Sequence, residues 1–308
     1  MRVVEVAAFG GPDALTVAER PDPVAAPGQV LIRVHAANVN PTDLSVRDGS
    51  VVRRNPRVTP PVVPGWDLAG EVSQVGEGVS AYAAGDRVVG MIPFTRTGGR
   101  VGAYAEAAAV QPGWLAPLDP AVSFEEGATL PLNSLTAREA LRMLALPPGA
   151  RLLITGAGGA VGGFATQLAV AAGLEVIAVA GRNDEDWVAG LGPAEVLPRD
   201  ADLGAIEQVE GVIDAVPLGP AASTPALRDG GTAVFTRPPD PPESDRDLHL
   251  ESFLVSSDAA GLRELSARLA AGELRTRVAR TLPLEEAAEG HRLTEAGGLG
   301  GKVVLTTG

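Results

Sequence analysis

The 308-residue sequence contains no cysteine. Disulfides, thiol nucleophiles and thiolate metal sites are thereby excluded, and any redox chemistry has to come from a bound cofactor. Histidine is nearly absent as well: the only three, His35, His249 and His291, are far apart in sequence, and each reads as a surface or packing residue rather than a catalyst. Positive charge is in deficit, with 25 Lys and Arg against 38 Asp and Glu and a net charge of −13. No basic excess is left to neutralise phosphates, so neither nucleic acid nor an anionic membrane is expected as a partner. Long apolar runs are missing too. The most apolar window, 168–180, is interrupted by Glu175, and the opening "MRVVEVAAFGGPDAL" has no sustained apolar segment of the signal-peptide kind, so a cytoplasmic protein is expected. Aromatic residues make up only 4% of the chain. What is abundant is aliphatic: an apolar fraction of 45% suffices for well-buried cores, and the length suits two domains.

Two grammars divide the chain. Residues 1–118 show short β-type runs punctuated by glycine and proline ("RVVEVAAF", "GQVLIRVHAANV", "LAGEVSQVG", "GDRVVGMI", "AYAEAAAV"), the pattern of an antiparallel, partly barrel-like β domain. Residues 119–272 alternate strands with helices: "RLLIT" then 160–173, "EVIAVA" then 184–191, "GVIDAV" then 219–228, "GTAVF" then 259–271. Such alternation predicts an α/β fold with a doubly wound parallel sheet. Residues 273–308 read as strand, helix, glycine-rich turn and final strand, expected to return and complete the first domain. The proline-rich, charged stretch 236–247 reads as a solvated connector, with a lid or interface role as the alternative.

The segment "TGAGGAVGG" follows the strand "RLLIT" and opens a helix. Its glycines 156, 159 and 162 recur every third residue, which suits a tight turn, close approach of backbone to a diphosphate and close packing of helix on sheet. The diphosphate would sit at the helix N-terminus, where unpaired N–H groups and the helix dipole favour an anion. The expected cofactor contacts are therefore Gly156, Ala157, Gly159, Ala160, Val161 and Gly162. At the end of the second strand, where NAD sites usually place an acid for the ribose hydroxyl, the sequence reads "AVAGRN". A carboxylate would repel a 2′-phosphate and a guanidinium can pair with it, so Arg182 favours NADPH. The alternative is an exposed Arg182 with Asp184 or Glu185 serving NAD.

Ordered matches run nearly end to end: "FGGPDALTVAERPDPVAAPGQVLIRVHAANVNPTDLSVRDG", "PPVVPGWDLAGEVSQVGEGVSAYAAGDRVVG", "GAYAEAAAV", "EEGATLPLNSLTAREAL", the glycine turn, "LEEAAEGHRL" and "GGKVVL". On these the chain resembles the medium-chain dehydrogenase/reductase superfamily, and within it the zinc-independent quinone oxidoreductase (zeta-crystallin-like) branch. The resemblance implies a GroES-like catalytic domain, a Rossmann domain, a nicotinamide cofactor and a homodimer. The zinc branch holds its metal through Cys, His and Cys with a Glu beside the His. The corresponding positions here are Asn40, Trp66 with Asp67, and Leu132, and a lone aspartate cannot hold zinc, so no metal is expected.

Without a Lewis acid, alcohol oxidation is disfavoured. Hydride transfer to an already conjugated acceptor, a quinone or an α,β-unsaturated carbonyl, is the better fit, because the protein need only orient both partners and donate hydrogen bonds to the developing oxyanion. From the resemblance, Asn40, Thr42 and Thr136 are the candidate catalytic residues, with Asn40 and Thr136 also reaching the cofactor and Asn133 a third contact; Asp43 reads as a turn or ion-pair residue. One departure bears on substrate: where many members carry tyrosine, five residues after the asparagine, this chain has Ser45, and its two tyrosines, Tyr82 and Tyr104, match structural parts of the domain. An enone or enoyl substrate gains weight accordingly. Four arginines between 47 and 57 read as a solvated loop, or as a subsite for an anionic substrate. Two alternatives stay open: an enoyl reductase for a thioester or biosynthetic intermediate, and a non-catalytic NADPH-binding sensor.

Overall fold

Strand Val30–Asn38 shows how the first sheet is built. Val30, Ile32 and Val34 turn inward while Arg33 faces solvent, and burial then becomes continuous over Ala36, Ala37 and Asn38. The alternation is the period of two of a half-buried strand; the continuous stretch marks where the strand runs under other elements. In the computed structural model, which describes residues 1–53, 58–236 and 246–308, this strand is central to a seven-stranded sheet. The order is Val278–Pro283, Lys302–Thr306, Val30–Asn38, Asp67–Val75, Arg87–Met91 and Leu115–Pro117, with Ala107–Val110 also pairing to Val30–Asn38. Its core holds Ile32, Leu68, Phe94, Tyr104 and Leu115. The closing strand lies antiparallel to Val30–Asn38, with Val304 opposite Asn38, so the C-terminal return places Lys302 at the end of the strand that leads to Asn40.

The chain divides into two units, Met1–Leu132 with Ser256–Gly308 and Asn133–Val255. The boundaries expected at 118 and 272 are displaced: residues 119–132 and 256–272 fall in the first unit. One reason is visible in helix Ala259–Ala270, whose Ser266 hydroxyl donates to the Pro117 carbonyl at 2.7 Å, tying a helix of apparently Rossmann-like grammar to the first sheet.

The second unit is a six-stranded parallel sheet in the order Glu195–Pro198, Glu175–Ala180, Arg151–Thr155, Val209–Asp214, Leu227–Phe235, His249–Ser252. The chain starts in the middle, winds to one edge, then crosses to the other side. That reversal makes a switch point beside the carboxyl end of Arg151–Thr155, where open α/β sheets bind ligands. The four strands expected from their apolar runs are present, and two more, Glu195–Pro198 and His249–Ser252, occupy the edges. Both edge strands are largely exposed and lack an apolar period, which is why the pattern did not predict them. The helix expected over 219–228 is only one turn, Pro220–Ser223, because Pro225 cannot donate to a helix ladder and Leu227 already begins a strand. The helix expected over 184–191 is Glu185–Ala189, preceded by a tight turn at Arg182–Asp184.

Candidate active site and cofactor turn

In the first unit the sequence "NVNPTD" makes a helix start. Pro41 sits at the first helical position, where its missing N–H is no loss, and opens helix Pro41–Arg47. The Asn40 N–H donates to Asp43 Oδ2 at 2.8 Å, and the other Asp43 oxygen accepts from the Gly65 N–H at 3.0 Å. Gly65 has φ +103°, and a Cβ there would lie 2.7 Å from the Ala103 nitrogen, so only glycine fits. Asp43 thus acts as a buried clasp between two loops, the turn role expected of it.

The Asn40 side chain also enters a buried polar network. Its Nδ2 donates to Asp67 Oδ2 at 2.8 Å, while its Oδ1 accepts from Lys302 Nζ at 2.9 Å and from Asn38 Nδ2 at 3.0 Å. Asp67 is the hub: Oδ2 also takes Asn38 Nδ2 at 3.2 Å, and Oδ1 takes the Leu132 N–H at 2.8 Å. Asn38, Asn40, Asp43 and Asp67 are fully buried. Burial raises Asp43 to about 7 and Asp67 to about 6, against the hydrogen bonds they accept and the nearby Lys302, which lower both. Burial likewise lowers Lys302 to about 8, opposed by the two carboxylates. Two polar atoms here, Asn38 Oδ1 and Trp66 Nε1, are buried with no partner.

The donor set differs from that of a zinc site. Trp66 and Leu132 offer no metal-ligating side-chain atom, the Asn40 carbonyl is taken by an ammonium, and both Asp67 oxygens accept hydrogen bonds. These residues do not fit a catalytic zinc, and among the described residues no group of three His, Asp or Glu is placed to hold a metal.

The other sequence candidates scatter. Thr42 is exposed at the start of the same helix, outside the buried cluster. The Ser45 hydroxyl turns back to the Pro41 carbonyl at 3.4 Å. Asn133 and Thr136 are buried in helix Pro131–Leu144 and belong to the second unit. Of the four arginines, Arg47 is buried, donating to the Gly10 carbonyl at 3.2 Å and pairing with Glu295, so it serves the fold rather than a solvated loop. The side chain of Arg53, and Arg54 and Arg57, lie outside the described residues, as does 237–245 of the proline-rich stretch. The histidines do not join the cluster. His35 stacks on Phe124 at 4.3 Å, and His249 lies on an exposed edge strand. His291 is buried 3.1 Å from the Tyr104 hydroxyl and held down at about 3 by burial and by Arg47.

In the second unit the glycine turn follows strand Arg151–Thr155 and feeds helix Ala160–Ala171, whose N-cap Gly159 offers no side chain to its first turn. Gly156 has φ +68°, and a Cβ on Gly162 would lie 2.3 Å from the Gly156 carbonyl oxygen: the first glycine makes the turn and the third lets the helix close on it. At Gly159 a Cβ would meet only the Gly156 oxygen, at 3.3 Å. The space above Gly159 is otherwise open, which fits a diphosphate at the Ala160, Val161 and Gly162 amides. The neighbouring strand end is braced by Asp214, which accepts from the Thr155 hydroxyl at 2.6 Å and the Gly219 N–H at 3.0 Å; burial raises its pKa. At the end of strand Glu175–Ala180, Arg182 is exposed. Two neighbours modify the expected picture. The Asp184 carboxylate lies over Gly158, 2.6 Å from where a Cβ would stand, and the Arg199 guanidinium lies over Gly181.

A parallel α/β sheet with a glycine turn at its switch point, joined in one chain to a β-rich unit, is the architecture of a nicotinamide-dependent oxidoreductase. Residues 26–120 match the alcohol dehydrogenase GroES-like domain, and residues 173–305 match the zinc-binding dehydrogenase domain. The quinone oxidoreductase of Lama guanicoe is 32% identical over 99% of this chain and 97% of its own length. The chloroplastic quinone-oxidoreductase homolog of Spinacia oleracea is 37% identical over 67% of this chain and 63% of that protein. Among solved structures, the quinone oxidoreductase from Coxiella burnetii superposes with a TM-score of 0.89 at 28% identity, covering 100% of this chain and 99% of its own. An NAD-dependent alcohol dehydrogenase matches with a TM-score of 0.89 at 31% identity and full coverage of both chains. The chain belongs to the medium-chain dehydrogenase/reductase superfamily, in its quinone oxidoreductase (zeta-crystallin-like) branch. It is an oxidoreductase of that type, using a nicotinamide cofactor on a small molecule, and among the described residues no helix is long and apolar enough to cross a membrane.

Sequence reasoning missed Asn38, Lys302 and Arg199, and treated Asp67 only as a failed zinc site. The signal for Lys302 was present in "GGKVVL", a lysine at the head of an apolar strand. No local pattern marks Arg199.

Proposed function

We propose that this chain is a cytoplasmic, NADPH-dependent, zinc-independent reductase that transfers a hydride to a quinone or an α,β-unsaturated carbonyl. The observation that carries the reading is the donor set at Asn40, Trp66, Asp67 and Leu132, which holds an amide–carboxylate–ammonium network in place of metal ligands. When bound, the reduced nicotinamide supplies a hydride, and a conjugated acceptor takes it at carbon without a Lewis acid. The glycine turn residues Gly156, Ala157, Gly159, Ala160, Val161 and Gly162 hold the diphosphate, and Arg182 faces the 2′-phosphate. Asn40, with both ends of its amide engaged, is a positioning residue that fixes the loop carrying Thr42. Thr42 and Thr136 are the hydroxyl candidates for a hydrogen bond to the oxygen that gains charge, with Asn133 a further candidate, and a solvent proton completes the reduction. A homodimer belongs to the same reading, supported by the exposed edge strand His249–Ser252.

Within that class, Ser45 favours an enone or an enoyl thioester over a flat quinone, since its hydroxyl is turned to its own helix and no aromatic face stands there. The test is a fluorescence titration with NADPH and NADH, followed by addition of 9,10-phenanthrenequinone and then a simple enone. Tighter binding of NADPH and oxidation by either acceptor is the expected result. Binding without oxidation by any acceptor would replace the reductase with a sensor.

A further inference from the structure

The second unit holds an arginine that local sequence does not point to. Strand Glu195–Pro198 pairs in parallel with Glu175–Ala180, with Pro198 opposite Ala180. That register brings the next residue, Arg199, beside Gly181 at the carboxyl end of the neighbouring strand. Its guanidinium lies over the glycine: a Cβ on Gly181 would stand 3.3 Å from Arg199 Nη2, 3.8 Å from Cζ and 4.0 Å from Nε. A side chain at 181 would press on the far end of this guanidinium. Arg182 follows immediately, and both arginines are exposed. Among the described residues neither is paired with a carboxylate, although acids outnumber bases in the chain by 38 to 25. Two arginines without a carboxylate partner thus attend one glycine, one lying over it and one next to it in sequence, at the ligand-binding end of a parallel sheet.

We propose that Arg199 is a specificity-determining residue of the cofactor site, the second guanidinium that grips the adenosine 2′-phosphate. The inference rests on the NADPH reading and deepens it. One exposed arginine is a mobile point of attachment, whereas two planar forks approaching from adjacent strands can share the oxygens of one phosphate. Asp184, over Gly158, is the acid that faces the neighbouring part of the turn. It makes a single arginine a weak selector and gives the second one its purpose.

The test uses the full-length protein and measures dissociation constants for NADPH, NADH, 2′-AMP and 5′-AMP by fluorescence and calorimetry. In Arg199→Ala, NADPH and 2′-AMP weaken by about tenfold or more, while NADH and 5′-AMP stay within about twofold, the loss of a charge-assisted phosphate contact. Gly181→Asp, which sets a carboxylate against the guanidinium, gives a selective loss in the same direction. Arg199 is exposed at the end of an edge strand, so the variant folds, and circular dichroism checks this. Equal weakening of NADPH and NADH, or no change in either while the wild type prefers NADPH, overturns the role of Arg199. A wild-type protein that binds NADH as tightly as NADPH overturns the cofactor reading itself, and that is decided before any variant is made.

Discussion

Lys302 Nζ donates to Asn40 Oδ1 at 2.9 Å, joining residues 262 apart in sequence. Through that bond the last strand of the chain holds the amide whose other end is tied to Asp67. The orientation of Asn40 follows from charge: its NH2 must face the carboxylate and its carbonyl the ammonium. The result is a fixed loop at Asn40–Asp43, built at a place where a metal-dependent relative would use a cation.

Replacing Lys302 with methionine should therefore loosen the first unit. The aliphatic stem is kept, the cation beside Asp43 and Asp67 is lost, and a buried amide oxygen loses one of its donors. The expected loss is about 2 kcal/mol of unfolding free energy, the scale of leaving a buried polar group short of its partner. Urea unfolding followed by the fluorescence of Trp66 and Trp114, both in the first unit, measures it. An unchanged midpoint would mean that the ammonium contributes nothing to the cluster.

The same cluster sets a pH dependence. Asp43 at about 7 and Asp67 at about 6 lie above the ordinary value of 3.8, so between about 4 and 7 the folded state binds more protons than the unfolded one. Their contribution is fully present below pH 4 and lost as pH rises through 6 to 7. Lys302, at about 8 against 10.5, works the other way, with its burial penalty relieved as pH rises from 8 to 10.5. Melting temperatures taken at half-unit steps should fall between pH 5 and 7.5. Because Lys302 lowers both carboxyls, the fall in Lys302→Met should move to higher pH; a curve superimposable on wild type would remove the carboxyls from the account.

The glycines at 156, 159 and 162 were legible because their work is local: the strand, turn and helix they join are consecutive in sequence. The chemistry of Asn40, Trp66 and Leu132, which are not Cys or His, was legible for a similar reason, since it is a property of single residues. What the fold brings beside a residue was not. Lys302 reaches Asn40 through the pairing of Val304 with Asn38, and Arg199 reaches Gly181 through the pairing of Pro198 with Ala180. Both depend on the register of strands distant in sequence, and the second lies on an edge strand too exposed to carry an apolar period. The domain boundary moved likewise because Ser266 reaches back to Pro117, across a sequence separation that no composition shift marks.

Removal of metal tests zinc-independence. Dialysis of the purified protein against a strong chelator, with metal content checked before and after, should leave NADPH oxidation by phenanthrenequinone unchanged within about 10%, since none of the Asn40, Trp66 and Leu132 positions supplies a zinc ligand. Loss of activity restored by added zinc would place a metal elsewhere and sink the mechanism proposed above.

The glycine turn separates folding from binding within a few residues. A methyl on Gly162 would stand 2.3 Å from the Gly156 carbonyl oxygen, a backbone atom that cannot step aside without moving the turn. Gly162→Ala should therefore destabilise the second unit by about 2 kcal/mol, the usual scale of overpacking. Gly159 is different: its backbone is extended, with φ −80°, and an added Cβ would touch only one oxygen at 3.3 Å. Gly159→Val should cost less stability than Gly162→Ala and yet fail to bind either nicotinamide dinucleotide, because the isopropyl group fills the space that the diphosphate needs. Thermal melts and NADPH fluorescence titrations of the two variants make the comparison. If Gly159→Val binds the cofactor normally, the diphosphate does not lie over this turn, whatever the stability of Gly162→Ala.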